Sequence, residues 1–385
     1  MDIHRVLIAL VAVFAVQSNA FVGRHDPQLL SLLGEKAGKL SLLFAAEVSG
    51  TNEWTTLRPR VSIWGYGGDH PPVVFNVNDE MYAITGNGKG TTVVFNCTMR
   101  EMYRSRPFGG INPKVCVATA VDDRNFIVVG GWNAFHFMDP LRLGDKIPLP
   151  NLMKTRWKPG IVCLDKKVYV MGGYNPHKER YEDTIEMLDL SLPSKRREWT
   201  LLPSRMREGR EGCSAVVDFN GNIVVTGGFS DGRYLDSVEV FDTRNQEWRR
   251  LPRMLSRRAH HSVVSLDNGR TIVAIGGCDC GCPRSSERLS AIKTAELLRL
   301  DNGGKALYWI PIPSMNTARA YLGALALTSG TQPGIFVYGG GPGEWASHKH
   351  LATTLEFLPN PSPRDIIYWT PLHPPTIKHK RFPTT

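Results

Sequence analysis

Ile223-Val224-Val225-Thr226-Gly227-Gly228 is one copy of a hexapeptide that keeps returning along the chain, a short apolar run closed by two glycines. Further copies are Phe126–Gly131, Val168–Gly173, Ile272–Gly277 and Ile335–Gly340, with a weaker one at Met81–Gly86. The second glycines of the five full copies stand 42, 55, 49 and 63 residues apart. A repeat of roughly 50 residues marks small β-sheets arranged radially, each burying its faces against its neighbours, rather than one continuous core.

Outward from each glycine pair the same unit recurs. Ahead of it lies a turn such as Phe219-Asn220-Gly221-Asn222 or Leu266-Asp267-Asn268-Gly269, and ahead of that a small-residue strand such as Cys213–Val217. Behind it comes an alternating strand, as in Ser237–Asp242, Thr184–Asp189, Thr294–Leu298 and Thr353–Phe357, whose period of two gives a strand with one buried face. A tryptophan strand follows, at Trp199, Trp248, Trp309 and Trp369. The glycines suit a crowded place that no side chain fits, and the tryptophans supply large apolar area between sheets.

Taken together, the double glycine, the aromatic-Asp end of the third strand (Phe241-Asp242), the tryptophan about six residues later and a following Met-x-x-x-Arg segment resemble the kelch-repeat family. The resemblance covers residues 40–373. It implies an all-β fold, a kelch-type β-propeller of six four-stranded blades, with seven blades, one of them incomplete, as the alternative. Blade one departs from the pattern with Met102-Tyr103 where tryptophan is expected, and blade two has no clear fourth-strand tryptophan. Leu40–Phe44 and Glu53–Leu57 look like a third and fourth strand ahead of the first full unit, while the last unit reads as owning its closing strand through Trp369.

Residues 1–20 read as a secretory signal: Arg5, the apolar run Val6–Val16, then small residues at Gln17-Ser18-Asn19-Ala20. A lead segment (21–38), the propeller (39–373) and a basic tail (374–385) follow, and no later apolar run is long enough to span a membrane. The expected setting is extracellular. There the seven cysteines have access to oxidation, and Cys278, Cys280 and Cys282 are disulfide candidates in one loop. Asn96-Cys97-Thr98 is a glycosylation sequon on Asn96. The net charge of +10 points to acidic proteins or anionic glycans as partners rather than to nucleic acid.

The sharpest candidate site is a register of arginines in the links between units: Arg60, Arg106, Arg156, Arg210, Arg258 and Arg319. In kelch propellers such links lie at one mouth of the central channel, so a ring of guanidinium groups would suit carboxylate, sulfate or phosphate. The same arginines could instead serve packing by binding backbone carbonyls. Arg258-Ala259-His260-His261-Ser262 resembles a strand of the copper-radical oxidases, yet Arg-x-x-His-Ser is also ordinary kelch spelling. No catalytic set, cofactor or metal site is expected. The expected function is a secreted scaffold binding an acidic protein segment or anionic glycan. The alternative is a carbohydrate-active enzyme on the same fold, an oxidase or a sugar isomerase.

Overall fold

The computed structural model describes residues 55–57, 73–77, 80–86, 92–96, 101–105, 115–138, 146–279, 290–306, 308–327, 334–341 and 355–359. These form six four-stranded antiparallel sheets, two small hairpins and two single turns of 3-10 helix. Blade one comprises Val73–Val77, Glu80–Gly86, Thr92–Asn96 and Glu101–Ser105; blade two Val117–Ala120, Phe126–Gly130, Asn133–Phe137 and Lys146–Pro148. Blade three holds Gly160–Leu164, Lys167–Met171, Thr184–Asp189 and Trp199–Arg205, and blade four Ser214–Val217, Ile223–Thr226, Val238–Asp242 and Glu247–Leu251. Blade five runs Ser262–Leu266, Thr271–Ile275, Ala295–Arg299 and Trp309–Ile312. The first strand of each blade adjoins that of the next, and Ala320–Leu327 of the sixth sheet touches Val73–Val77 of the first, so the inner strands make a ring.

The sixth sheet corrects one expectation. Its strands are Ala320–Leu327, Gly334–Gly341, Leu355–Pro359 and, from the other end of the chain, Thr55–Leu57, with Thr55 opposite Phe357 and Leu57 opposite Leu355. The N-terminal strand therefore completes the last blade instead of preceding the first. Pairing the two ends fills the open edge of Leu355–Pro359 and fastens the ring without a further element. Leu40–Phe44 and the Trp369 strand lie outside the described residues.

The core is a series of seams between blades. Between blades three and four, Met171, Ile185 and Leu202 meet Cys213, Ile223 and Phe241. Between four and five, Val224, Val240 and Leu251 meet Ile272, Leu298 and Trp309. Two tryptophans reach back to the preceding blade, Trp199 Nε1 donating to the Pro150 carbonyl and Trp309 Nε1 to the Pro252 carbonyl, both at 2.9 Å. In these two the indole supplies area and satisfies its own polar group in one placement. Trp248 packs in the seam between blades three and four with its buried Nε1 unpartnered among the described residues.

The glycine pairs have a sharper cause than crowding alone. The second glycine of each blade donates its N–H to the backbone carbonyl of the arginine that opens the next: Gly173 to Arg210, Gly228 to Arg258 and Gly277 to Arg319, each at 2.7 Å. That approach leaves no room for a Cβ on the glycine before. One on Gly227 would sit 2.3 Å from the Arg258 carbonyl oxygen, and Gly227 also has φ of 55°, in the left-handed region. Gly232, in a hairpin turn, has a positive φ of 79° but open space around it. Gly227→Ala is therefore expected to cost ~3 kcal/mol or more, strain plus clash, whereas Gly232→Ala costs about 1 kcal/mol from strain alone. Urea unfolding of both variants beside the parent checks the difference.

Candidate binding face

Two sets of loops share one face of the propeller, the links from fourth strand to next first strand and the turns from second to third strand. Short bridges join them, Trp157 with Tyr174, Glu211 with Phe229, and Ala259 with Cys278. On this face the structure places four of the six candidate arginines, and all four are fully buried: Arg156, Arg210, Arg258 and Arg319. Each pairs with a buried glutamate on the third strand of its own blade. Arg156 meets Glu186 at 3.0 Å, Arg210 meets Glu239 at 2.5 Å, and Arg258 and Arg319 meet Glu296 and Glu356 at 2.8 Å. Each also donates to the carbonyl of the first glycine of its pair: Gly172, Gly227, Gly276 and Gly339.

The glutamates are equally occupied. Glu186 accepts from the N–H groups of Met153 and Lys154, Glu296 from Leu255 and Ser256, and Glu356 from Asn316 and Thr317. These four arginines are thus internal clamps and present no guanidinium to a partner, because they are fully buried and turned into the protein. Burial lowers the pKa of Arg156, Arg258 and Arg319, and the facing glutamate opposes that shift in each case.

Blades one and two have no glutamate at this position among the described residues. At the third-strand position of Glu186 these blades carry Phe95 and Phe135. Between these blades the seam is aromatic instead, Phe75 stacked on Phe126 at 4.3 Å and Phe126 on Phe137 at 4.7 Å. Arg60 and Arg106 lie outside the described residues.

Two positions beyond each buried arginine, the chain turns through a left-handed residue: Lys158, Gly212, His260 and Tyr321, with φ between 49° and 59°. Their backbones are linked in series around the axis. Gly212 N–H donates to Lys158, His260 to Gly212 and Tyr321 to His260, at 2.8–2.9 Å. The His260 ring stacks on Tyr321 at 4.1 Å, and Lys158 Nζ donates to the Tyr321 hydroxyl at 3.3 Å. This belt closes over a channel cavity of about 500 Å³ walled by small residues such as Cys116, Ala118, Cys163, Ala215, Ser265 and Ala324. His261 is buried, its Nε2 2.7 Å from the Thr226 hydroxyl, and lines the same cavity as His260.

Off the axis the face is aromatic. Trp157, Tyr174, Tyr181, Phe229 and Tyr234 form a continuous ladder across blades three and four, with successive centroids 5.1–6.2 Å apart. Trp132, stacked on His177 at 6.0 Å, extends the display towards blade two. Trp132 and Trp157 are 52% and 38% exposed, and Met153 and Leu255 project from the links beside them. The ladder rests on two hairpins with the same closing dipeptide, Arg180-Tyr181 and Arg233-Tyr234. That repeated dipeptide was the available sequence signal for it. Reading the chain for charge alone passes over it.

The remaining expected sites are placed as follows. Cys278 is buried directly behind its glycine pair, and its thiol donates to the Ala259 carbonyl at 3.4 Å. Cys280 and Cys282 lie outside the described residues. Asn96 ends a third strand in blade one, its backbone opposite Tyr82 and Glu101. Burial pushes the thiols of Cys163 and Cys213 up to about 11, which keeps both protonated and unreactive.

Two measurable consequences arise here. Arg258→Ala and Glu296→Ala should each lower stability by ~3–5 kcal/mol, and the double variant by clearly less than their sum, while exposed Arg257→Ala stays within about 0.5 kcal/mol. Urea unfolding of the double-mutant cycle reads this directly. The second concerns pH. Burial first and the Arg258 charge second push His261 down to about 3 from 6.5. For Glu182, burial acts upward, but hydrogen bonds from Lys154, Arg180 and Asn175 outweigh it and hold the carboxyl near about 2, below 4.5. Both folded values lie below the unfolded ones, so the unfolded chain takes up protons first. Stability is expected to fall as pH drops from 6.5 towards 3 through His261 and from 4.5 towards 2 through Glu182, at up to ~1.4 kcal/mol per pH unit per proton. His261→Gln should make the decline that begins nearest pH 6.5 shallower by about one proton, the remainder coming from His260 and His136, whose pKa values burial also lowers. Urea titrations between pH 7 and 5 would detect the difference in slope.

Comparison with known proteins agrees with this architecture. The family model described as the KLHDC2/KLHL20/DRC7 Kelch-repeats domain matches residues 159–361, just over half of the chain. Kelch domain-containing protein 8B of Rattus norvegicus is 32% identical over 149 residues, 36% of this chain and 40% of that protein. Kelch-like protein 23 of Homo sapiens is 26% identical over 198 residues, 48% of this chain and 33% of its own length. The chain therefore spans two fifths or less of these relatives. Among solved structures, that of YjhT superposes with a TM-score of 0.56 at 13% identity, covering 74% of this chain and 93% of the other, a likeness of fold alone. With the double-glycine repeat, the four-stranded sheets and the matching family model in agreement, this chain belongs to the kelch-repeat family of β-propellers.

Proposed function

We propose that this propeller is a secreted scaffold that docks a partner protein on the face carrying the aromatic ladder. Kelch-repeat propellers are in general protein-binding scaffolds, and their rigid sheets hold loops in place for recognition. The observation that carries the reading is the placement of exposed apolar side chains. Of the eight large ones among the described residues, Trp132, Met153, Trp157 and Leu255 lie on this one face, beside stacked tyrosines that offer both apolar area and hydroxyls. Clustered, rigid aromatics are the residue type that dominates binding energy at protein interfaces. Secretion is supported by Arg5, the apolar run Val6–Val16 and the small residues that follow. No helix among the described residues is long and apolar enough to cross a membrane.

The test is affinity capture from the extracellular fluid of the producing organism with immobilised mature protein. Three proteins are compared: the parent, Trp132→Ser/Trp157→Ser, and Leu192→Ser, which alters an exposed leucine on the opposite face. Proteins held by the parent and by Leu192→Ser should be reduced about tenfold or more on the double tryptophan variant. Equal retention on all three would overturn docking on this face.

A further inference from the structure

The buried clamps leave a different set of arginines at the surface. Between blades three and four, away from the channel axis, lies an open groove of about 620 Å³. Arg180, Arg207, Arg233, Arg250, Arg253 and Arg257 line it. They arrive from three kinds of element: the paired hairpins, the two links flanking blade four, and the outer strand of that blade. Three of them are already matched, Arg180 with Glu182, Arg233 with Glu208 and Arg253 with Asp236. Arg207, Arg250 and Arg257 have no ion-pair partner among the described residues, against a single carboxylate of the groove, Asp231, in the same position.

We propose that this groove binds a carboxylate-rich segment of a partner protein, with Arg207, Arg250 and Arg257 as its contacts. The chemistry is written in the groove itself, where the neighbouring guanidiniums Arg233 and Arg253 already take carboxylates. Guanidinium presents a planar fork matched to carboxylate oxygens and remains charged at any physiological pH. The groove borders the aromatic ladder, since Tyr181 and Tyr234 line both, so an acidic segment would run outward from the docking face described above. The inference rests on that docking reading for its protein partner, but its residues are separate from the tryptophans. The one clamp glutamate that lines the groove, Glu239, does not compete for its guanidiniums, because it is buried and taken by Arg210 and the Arg207 backbone N–H.

The test uses a fluorescein-labelled hexaglutamate peptide and fluorescence anisotropy at low and physiological salt. The proteins are the parent, Arg207→Ala/Arg250→Ala/Arg257→Ala, and a charge-matched control on exposed arginines elsewhere, Arg196→Ala/Arg244→Ala/Arg299→Ala. The peptide should bind the parent saturably and more weakly as salt rises. The groove variant should raise Kd about tenfold or more, and the control should stay within about twofold. Equal affinity for parent and groove variant, or an equal loss in the control, would overturn the proposal. So would a groove-dependent complex with a heparin oligosaccharide combined with no saturable peptide binding, since the site would then serve a sulfated glycan. Trp132→Ser/Trp157→Ser separates the two readings: it should leave hexaglutamate binding unchanged, so failure of partner capture and failure of the groove register as different results.

Discussion

A buried arginine paired with a buried glutamate sets the geometry on which four of the blades depend. Two charges removed from water are costly, and the cost is offset here only because every donor and acceptor finds a partner. The guanidinium takes the glutamate and the carbonyl of the first glycine, while the glutamate takes two backbone N–H groups of the incoming link in three of the four blades. Link, second strand and third strand are thereby fixed to one another within a blade. The arginine's own carbonyl then accepts from the second glycine of the preceding blade, so the clamp also spaces neighbours around the ring.

From this constraint the rest follows in order. The close approach of that carbonyl excludes a Cβ, which is why the apolar strand must end in glycine. Trp199 and Trp309 pack into their seams and reach back to a proline carbonyl on the previous blade. Between blades one and two, which carry phenylalanine at the glutamate position, stacked phenylalanines occupy the seam. The ring is closed by pairing Thr55–Leu57 with Leu355–Phe357. The clamps hold Arg156, Arg210, Arg258 and Arg319 internally, and the proposed recognition surfaces are what surrounds them, the aromatic ladder and the outer arginine groove.

The fold was legible in the sequence because its physical requirements are local and repeat. A glycine pair after four apolar residues, an alternating strand and a tryptophan each reflect a constraint within one blade, and five copies reinforce one another. The candidate site was less legible. Arg207 and Arg210 are three residues apart in one link and chemically identical, yet Arg210 is buried against Glu239 while Arg207 is exposed in the groove. Only the third strand, some thirty residues downstream, decides which of the two meets a carboxylate. The same holds for Tyr174 and Phe229, which become one ladder because adjacent blades bring their hairpins together.

By itself, then, the sequence determined the repeat, the all-β architecture, the glycine-terminated strands and the tryptophan seams, since these depend on neighbours within a few tens of residues. The tertiary structure alone decided how the ring closes, because a three-residue strand carries too little pattern to reveal a partner at the far end of the chain. It alone decided the fate of each arginine as well. Burial and charge pairing are properties of the assembled blades, and they turned the most regular arginines into internal clamps and left irregular ones exposed in the outer groove.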